Sequence, residues 1–157
     1  LVNRNEVIDA YQAIIRNCRE NAPHAVLEGM EVIEMAAAGT EMIIGARSDR
    51  TFGPIAMVGM GGIYVEVLKD ISFRAFPLDR KEVMNMIMDI KSHAILLGVR
   101  GEEARDIDRL INTVLRLGAI IVNCREITDI EINPLVVYEQ GKGAIAVDAR
   151  ILLGKDR

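Results

Sequence analysis

Two stretches of strict alternation lie on either side of a glycine-rich turn near the end of the chain, and they constrain the fold more than any other feature. The first is Asp129-Ile130-Glu131-Ile132-Asn133-Pro134-Leu135, and the second is Ala144-Ile145-Ala146-Val147-Asp148-Ala149-Arg150. Successive side chains of a strand point to opposite faces. Ile130 and Ile132 therefore face one way, and Asp129, Glu131 and Asn133 the other. Asp148 and Arg150 likewise share a face. A turn centred near Gln140-Gly141 sets Asn133 and Asp148 opposite each other or one residue out of register, with Cβ atoms about 4.5–5.5 Å apart. A carboxylate and an amide carbonyl so spaced suit a hard cation such as Mg²⁺, which takes one or two protein oxygens and completes its shell with phosphate and water. The competing reading is an exposed polar face on an edge hairpin, which is the commoner outcome for an arbitrary hairpin. Pro134 argues for something more deliberate, because it deletes a ladder donor and is confined to edges and bulges.

The rest of the chain reads as alternating helices and hairpins. Val7, Ala10, Tyr11, Ile14 and Ile15 recur at helical spacing, predicting a helix over 5–20 that Asn3 or Asn5 caps and Pro23 ends. Residues 25–35 turn extended. Strands are expected over 41–46 and 54–58, joined by the polar turn 48–53, and a further extended run over 71–76. Between them lie Gly59-Met60-Gly61-Gly62 and the apolar run Ile63-Tyr64-Val65-Glu66-Val67-Leu68. Asp79 is placed to cap a helix over 80–90, and a longer helix follows the GVRG loop (98–101) from about Glu102. Strands and helices in this order, with hairpins in place of regular strand–helix alternation, indicate an α+β fold.

Composition narrows the function classes. At 157 residues the chain is long enough for one real core, and half of it is hydrophobic. The net charge of -4, without a Lys/Arg cluster, argues against a nucleic-acid partner, as do the absence of Trp and the 4% aromatic content. No apolar run approaches the roughly 20 residues needed to span a bilayer. Cys18 and Cys124 lack metal-ligand spacing and suit a reducing cytoplasm as small hydrophobes. His24 and His93 have no partner at a spacing that suggests a triad or metal site, and Met84, Met86 and Met88 read as helix packing or surface. The opening Leu1-Val2-Asn3-Arg4 has neither a signal peptide nor an initiator Met, which suggests a fragment, an excised domain or a trimmed chain.

Two weaker signals concern phosphate and nucleotide. Gly59-x-Gly61-Gly62 after a strand could bring backbone N–H groups close to phosphate, although it matches neither GxGxxG nor a Walker motif and a plain glycine turn is equally compatible. Glu34 and Glu41 flank Ala36-Ala37-Ala38-Gly39, a small-residue run suited either to a hinge whose backbone pairs with adenine or to a simple crossover between strands.

Taken together, the motifs resemble a known family. EINPL (131–135) followed by VDAR (147–150) resembles the magnesium-binding end of the ATP-grasp β subunit of succinyl-CoA synthetase and its ADP-forming relatives. GPIAMVGMGGIYVEVLKDISFRAFPL (53–78) resembles the β subunit of ADP-forming acetate–CoA ligase and the matching domain of fused acyl-CoA synthetases. GTEMIIGARSD (39–49) and LLGVRGE (96–102) fit the same pattern. The resemblance implies an ATP-grasp fold, one domain over 1–157, with most of an N-terminal lobe absent. It also implies a ligase activity that turns acyl-CoA, ADP and phosphate into acid, CoA and ATP through a phosphohistidine. By position, Asn133 and Asp148 would hold Mg²⁺, and Glu131 would act catalytically on the phosphohistidine. Glu34, Met35, Ala36, Glu41, Gly61 and Gly62 would bind ATP or ADP. The implied partner is a CoA-binding α subunit or fused domain carrying the phosphohistidine, in a cytoplasmic hetero-oligomer. The isolated chain is expected to be folded, self-associating and inactive. The alternatives are a regulatory ligand-sensing domain, of the kind fused to protein acetyltransferases, and a non-catalytic scaffold.

Overall fold

A computed structural model describes residues 1–62, 69–99 and 101–154. The apolar run 63–68 and Arg100 of the GVRG loop lie outside the described residues. The chain divides into two compact units, Leu1–Met35 and Ala36–Arg157.

The first unit is built on helix α1 (Arg4–Asn21). Asn3 is its N-cap: the Asn3 side-chain oxygen accepts the N–H groups of Asn5 and Glu6 at 2.9 and 3.0 Å. Glu6 reaches back to accept from Val2 N–H and from the Asn3 amide, each at 2.9 Å. The first orphan donors of the helix are thereby satisfied reciprocally. The Ala22 N–H donates to Cys18 O at 2.8 Å, and Pro23 follows. Residues 25–35, expected to be extended, join no ladder and take no regular structure. A strand is stabilised by a neighbour that accepts its backbone bonds, and this run has none. Val32, Ile33 and Met35 in it are exposed.

Among the described residues the second unit is a six-stranded antiparallel sheet with helices. Its strands are β1 (Thr40–Asp49), β2 (Gly53–Met60), β3 (Ile71–Ala75), β4 (Ile127–Val137), β5 (Ala144–Ala146) and β6 (Ala149–Leu153). The order is β3-β2-β1-β4-β5, and β6 also pairs with β4. The β1–β2 turn is closed by the Asp49 carboxylate, which accepts N–H bonds from Phe52 at 2.9 Å and Thr51 at 2.7 Å. Those two bonds hold its pKa below the ordinary value. Gly53 leaves the turn at φ +71°, where a side chain would be strained.

Helix α2 (Arg80–Met88) is capped by Asp79, as expected. A 3₁₀ turn (Lys91–His93) and a short helix α3 (Ala94–Leu97) follow. Helix α4 (Ile107–Asn123) begins at residue 107 and not near Glu102. The preceding residues are spent on extended bonding: Arg105 N–H donates to Leu96 O, Gln140 N–H donates to Ala104 O, and Arg105 bridges to Glu139. Asp106 then caps the helix through Arg109 N–H at 3.0 Å and also accepts Gly143 N–H at 2.9 Å, so one buried carboxylate ties the helix start to the β4–β5 turn.

Helices cover one face of the sheet. Met42, Ile44, Ala46, Ala56, Val58, Ile130, Ile132, Leu135 and Val137 pack with Val83, Met86 and Ile87 of α2 and Leu110, Ile111, Val114 and Leu117 of α4. Each Val, Leu, Ile or Met side chain among them contributes about 1.5–3 kcal/mol by leaving water. Met86 is buried in this core, whereas Met84 and Met88 are partly exposed. The opposite face of the sheet carries Ile43, Gly45, Arg47, Ile55, Met57 and the odd-numbered polar residues of β4.

Candidate functional site

The site begins with an irregularity in β4. Its pairing with β1 shifts by one residue between Met42↔Leu135 and Ile44↔Ile132, so Asn133 and Pro134 together oppose Ile43. This is a β-bulge, and Pro134, with no N–H to give, occupies it. The extra residue changes the parity of the alternation. Ile130 and Ile132 reach the core on one side of the bulge, and Leu135 and Val137 reach it on the other.

On its other edge β4 keeps one register from Asp129 onward with both β6 and β5, Ile132↔Ala149 and Leu135↔Ala146. That register sets Asn133 directly opposite Asp148, at the gap between the two short strands. Asn133 N–H donates to Asp148 O at 3.0 Å, and Val147 N–H to Pro134 O at 3.0 Å. Asp148 is exposed and Asn133 half-buried.

Next to this pair the open face carries alternating charges. Arg47 Nε donates to Asp129 Oδ2 at 2.6 Å. Arg150 lies 4.0 Å from Asp129 Oδ1 and donates to Glu131 Oε2 at 3.4 Å. Asp129 is 7% exposed, and these guanidinium groups are its ion-pair partners. A cleft of about 150 Å³ opens beside them, lined by Gly45, Arg47, Ile55, Met57, Phe73, Asp129 and Glu131. Gly45 keeps its floor flat, since a Cβ there would stand 3.0 Å from Ile130 O.

Glu41, Gly61 and Gly62 come together at the other end of β1. Gly61 N–H donates to Glu41 O at 2.7 Å. A Cβ on Gly61 would stand 2.8–2.9 Å from the backbone of Glu41 and Met42, and one on Gly62 would collide with the Glu41 carboxylate. A cleft of about 520 Å³ is lined by Gly39, Thr40, Glu41, Met60, Gly61, Gly62 and Ile95. Of the other residues expected at the nucleotide, Glu34 and Met35 belong to the first unit and Ala36 opens the second.

Among the described residues no group of three or more His, Cys, Asp or Glu is arranged to hold a metal ion. His93 is a structural residue, with Nδ1 2.7 Å from Ile90 O, and both cysteines are free. Also among the described residues, no helix is long and apolar enough to cross a membrane. Sequence reasoning missed the pairing of Arg47 with Asp129. The only signal for it was the alternation of β1, which sets Arg47 on the face opposite Met42, Ile44 and Ala46.

Comparison with known proteins adds to this geometry. Residues 1–153 match the model of the ATP-grasp domain. The chain is 42% identical over 151 residues to the ADP-forming 4-hydroxybutyrate–CoA ligase of Nitrosopumilus maritimus, covering 96% of this chain and 22% of that protein. It is 41% identical over 151 residues to the β subunit of ADP-forming acetate–CoA ligase I of Pyrococcus furiosus, covering 96% of this chain and 64% of the subunit. Among solved structures it resembles the dinucleotide-forming acetyl-coenzyme A synthetase 1 of Ca. Korarchaeum cryptofilum in complex with coenzyme A and Mg-AMPPCP, whose phosphohistidine segment points towards the nucleotide-binding site. That similarity has a TM-score of 0.81 and 37% identity, over 98% of this chain and 66% of the other. The chain thus spans less than two thirds of these proteins.

Proposed function

The chain belongs to the ATP-grasp domain family and has its fold, an antiparallel sheet with flanking helices, and from that premise we propose that it is the nucleotide- and magnesium-binding part of an ADP-forming acyl-CoA synthetase. The observation that carries the reading is the opposition of Asn133 and Asp148, made by the β4 bulge and the split partner strand.

The donor set fits Mg²⁺. Asp148 supplies one carboxylate and Asn133 one amide oxygen, while Asp129 and Glu131 are already engaged by arginines. Two protein oxygens suffice for an ion that takes its other ligands from phosphates and water. When bound, the ion neutralises charge on the transferred phosphoryl group. The chain's own residues position the reactants, and phosphoryl transfer rests largely on positioning. Glu41 and the close-packed Gly61-Gly62 turn offer a backbone-lined cleft for the nucleotide. Glu131, on the same face as Asn133, would meet a phosphohistidine presented by a CoA-binding partner subunit or fused domain. Relatives of both kinds support that partner, one a separate β subunit and another a much longer chain. The overall reaction would be acyl-CoA, ADP and phosphate to acid, CoA and ATP.

The test is Asp148→Ala and Asn133→Ala in the intact enzyme. Asp148→Ala is expected to abolish phosphoryl transfer while unfolding stays cooperative. Asn133→Ala should cost less, because a neutral carbonyl contributes less to a divalent ion. Normal turnover of Asp148→Ala at low Mg²⁺ would overturn the assignment, and nucleotide binding without any turnover in the parent enzyme would point to a ligand-sensing domain.

A further inference from the structure

We propose that Arg150 is a positioning residue that fixes one oxygen of Glu131 so that the other is presented to the reacting group, an inference that rests on the role of Glu131 proposed above. Glu131 and Arg150 are directly paired across β4 and β6. The guanidinium takes Glu131 Oε2 at 3.4 Å, and among the described residues Oε1 has no hydrogen-bond partner. A carboxylate held by one oxygen cannot turn freely, so Oε1 keeps its aim at whatever donor enters the cleft.

Arg150 needs its own anchor, because its side chain is 59% exposed. That anchor is Asp129. It is buried, Arg47 on β1 holds its Oδ2 at 2.6 Å, and its Oδ1 lies 4.0 Å from Arg150. The order Arg47, Asp129, Arg150, Glu131 thus runs across β1, β4 and β6. It links the buried carboxylate of Asp129, paired with a largely exposed Arg47, to the half-buried carboxylate of Glu131. Asp148 stands two residues before Arg150 in the chain, so the proposed metal ligand and the arm that aims Glu131 share one short stretch of backbone.

The test is label exchange between ADP and ATP in the intact enzyme, which reads phosphoryl transfer to and from the enzyme without requiring the acyl group. Arg150→Met is expected to slow exchange by between about 10-fold and 100-fold, the cost of a misplaced reacting group, with the nucleotide KM unchanged. Arg150→Lys should recover part of the rate. Arg150→Met combined with Glu131→Gln should be no slower than Glu131→Gln alone. A second readout needs no activity: the side-chain carboxyl ¹³C resonance of Glu131 in the 157-residue chain should move in Arg150→Met. It should stay in place in Arg74→Met, which breaks the separate Arg74–Asp89 pair. Wild-type exchange by Arg150→Met, or losses that multiply in the double variant, would overturn the proposal while leaving the function standing. Wild-type exchange by Glu131→Gln would instead overturn the role of Glu131, and this inference with it.

Discussion

Replacing Asp70 by Asn tests whether one buried carboxylate holds the segment that returns from the glycine turn. Asp70 is 6% exposed and accepts the Lys91 N–H at 2.7 Å and the Ser92 N–H at 2.8 Å, clamping the 3₁₀ turn beside β3. Its own carbonyl accepts from Met60 at 3.3 Å, next to Gly61. Each charge-assisted bond is worth about 1.5–3 kcal/mol, and an asparagine oxygen could replace only one of them, as a neutral bond of about 0.5–1.5 kcal/mol. The expected loss is therefore about 1.5–5.5 kcal/mol. With a urea dependence of about 2 kcal/mol per molar, the unfolding midpoint should fall by about 1–3 M. Hydrogen exchange supplies a local check, because the Lys91 and Ser92 amides should lose protection before the sheet does.

The pH dependence follows from the charge on Asp70. Burial pushes the Asp70 pKa up, but the Ser92 side chain, the Lys91 and Ser92 N–H groups and the Lys91 charge outweigh it and hold the pKa below 3.8. A carboxylate with a depressed folded pKa contributes its stability in full above its unfolded value and loses it as pH falls through the folded one. The gap between wild type and Asp70→Asn should therefore be largest near neutrality and narrow below about pH 3.8. A gap under about 0.5 kcal/mol at neutral pH, a surface-substitution value, would refute the argument. So would a gap that does not narrow in acid.

Two further substitutions test close approaches. Gly61→Ala would drive a methyl group into the Glu41 and Met42 backbone, which cannot give way as a side chain can. It should cost about 1–3 kcal/mol and, by prising the turn from β1, weaken Mg²⁺-ADP binding measured calorimetrically in the intact enzyme. Gly118→Ala gains about 1 kcal/mol of helix propensity, but its Cβ would collide with the Phe76 ring. Net destabilisation in urea melts is expected, and Phe76→Leu in the same chain should relieve it; a net gain in stability from Gly118→Ala alone would show that the ring moves without cost.

The local patterns were legible because they depend on neighbours in the chain. Alternation in 129–135 separated the core residues Ile130 and Ile132 from the polar set Asp129, Glu131 and Asn133, since strand geometry sends successive side chains to opposite faces. The Asn3 and Asp79 caps were readable for the same reason, and the motifs 39–49, 53–78 and 131–135 carried the family. What the tertiary structure decided depends on partners far along the chain. A segment of mixed apolar and polar residues such as 25–35 becomes a strand only if an edge receives it. The start of α4 was moved by bonds from Arg105 and Asp106 to Leu96, Glu139 and Gly143. The bulge that seats Pro134 exists only because β1 supplies one residue where β4 supplies two. The charges on the open face were sorted in the same way: Arg47 lies 82 residues from Asp129, and only the β1–β4 register makes them a pair, while the registers of β4 with β5 and β6 set Asp148 opposite Asn133.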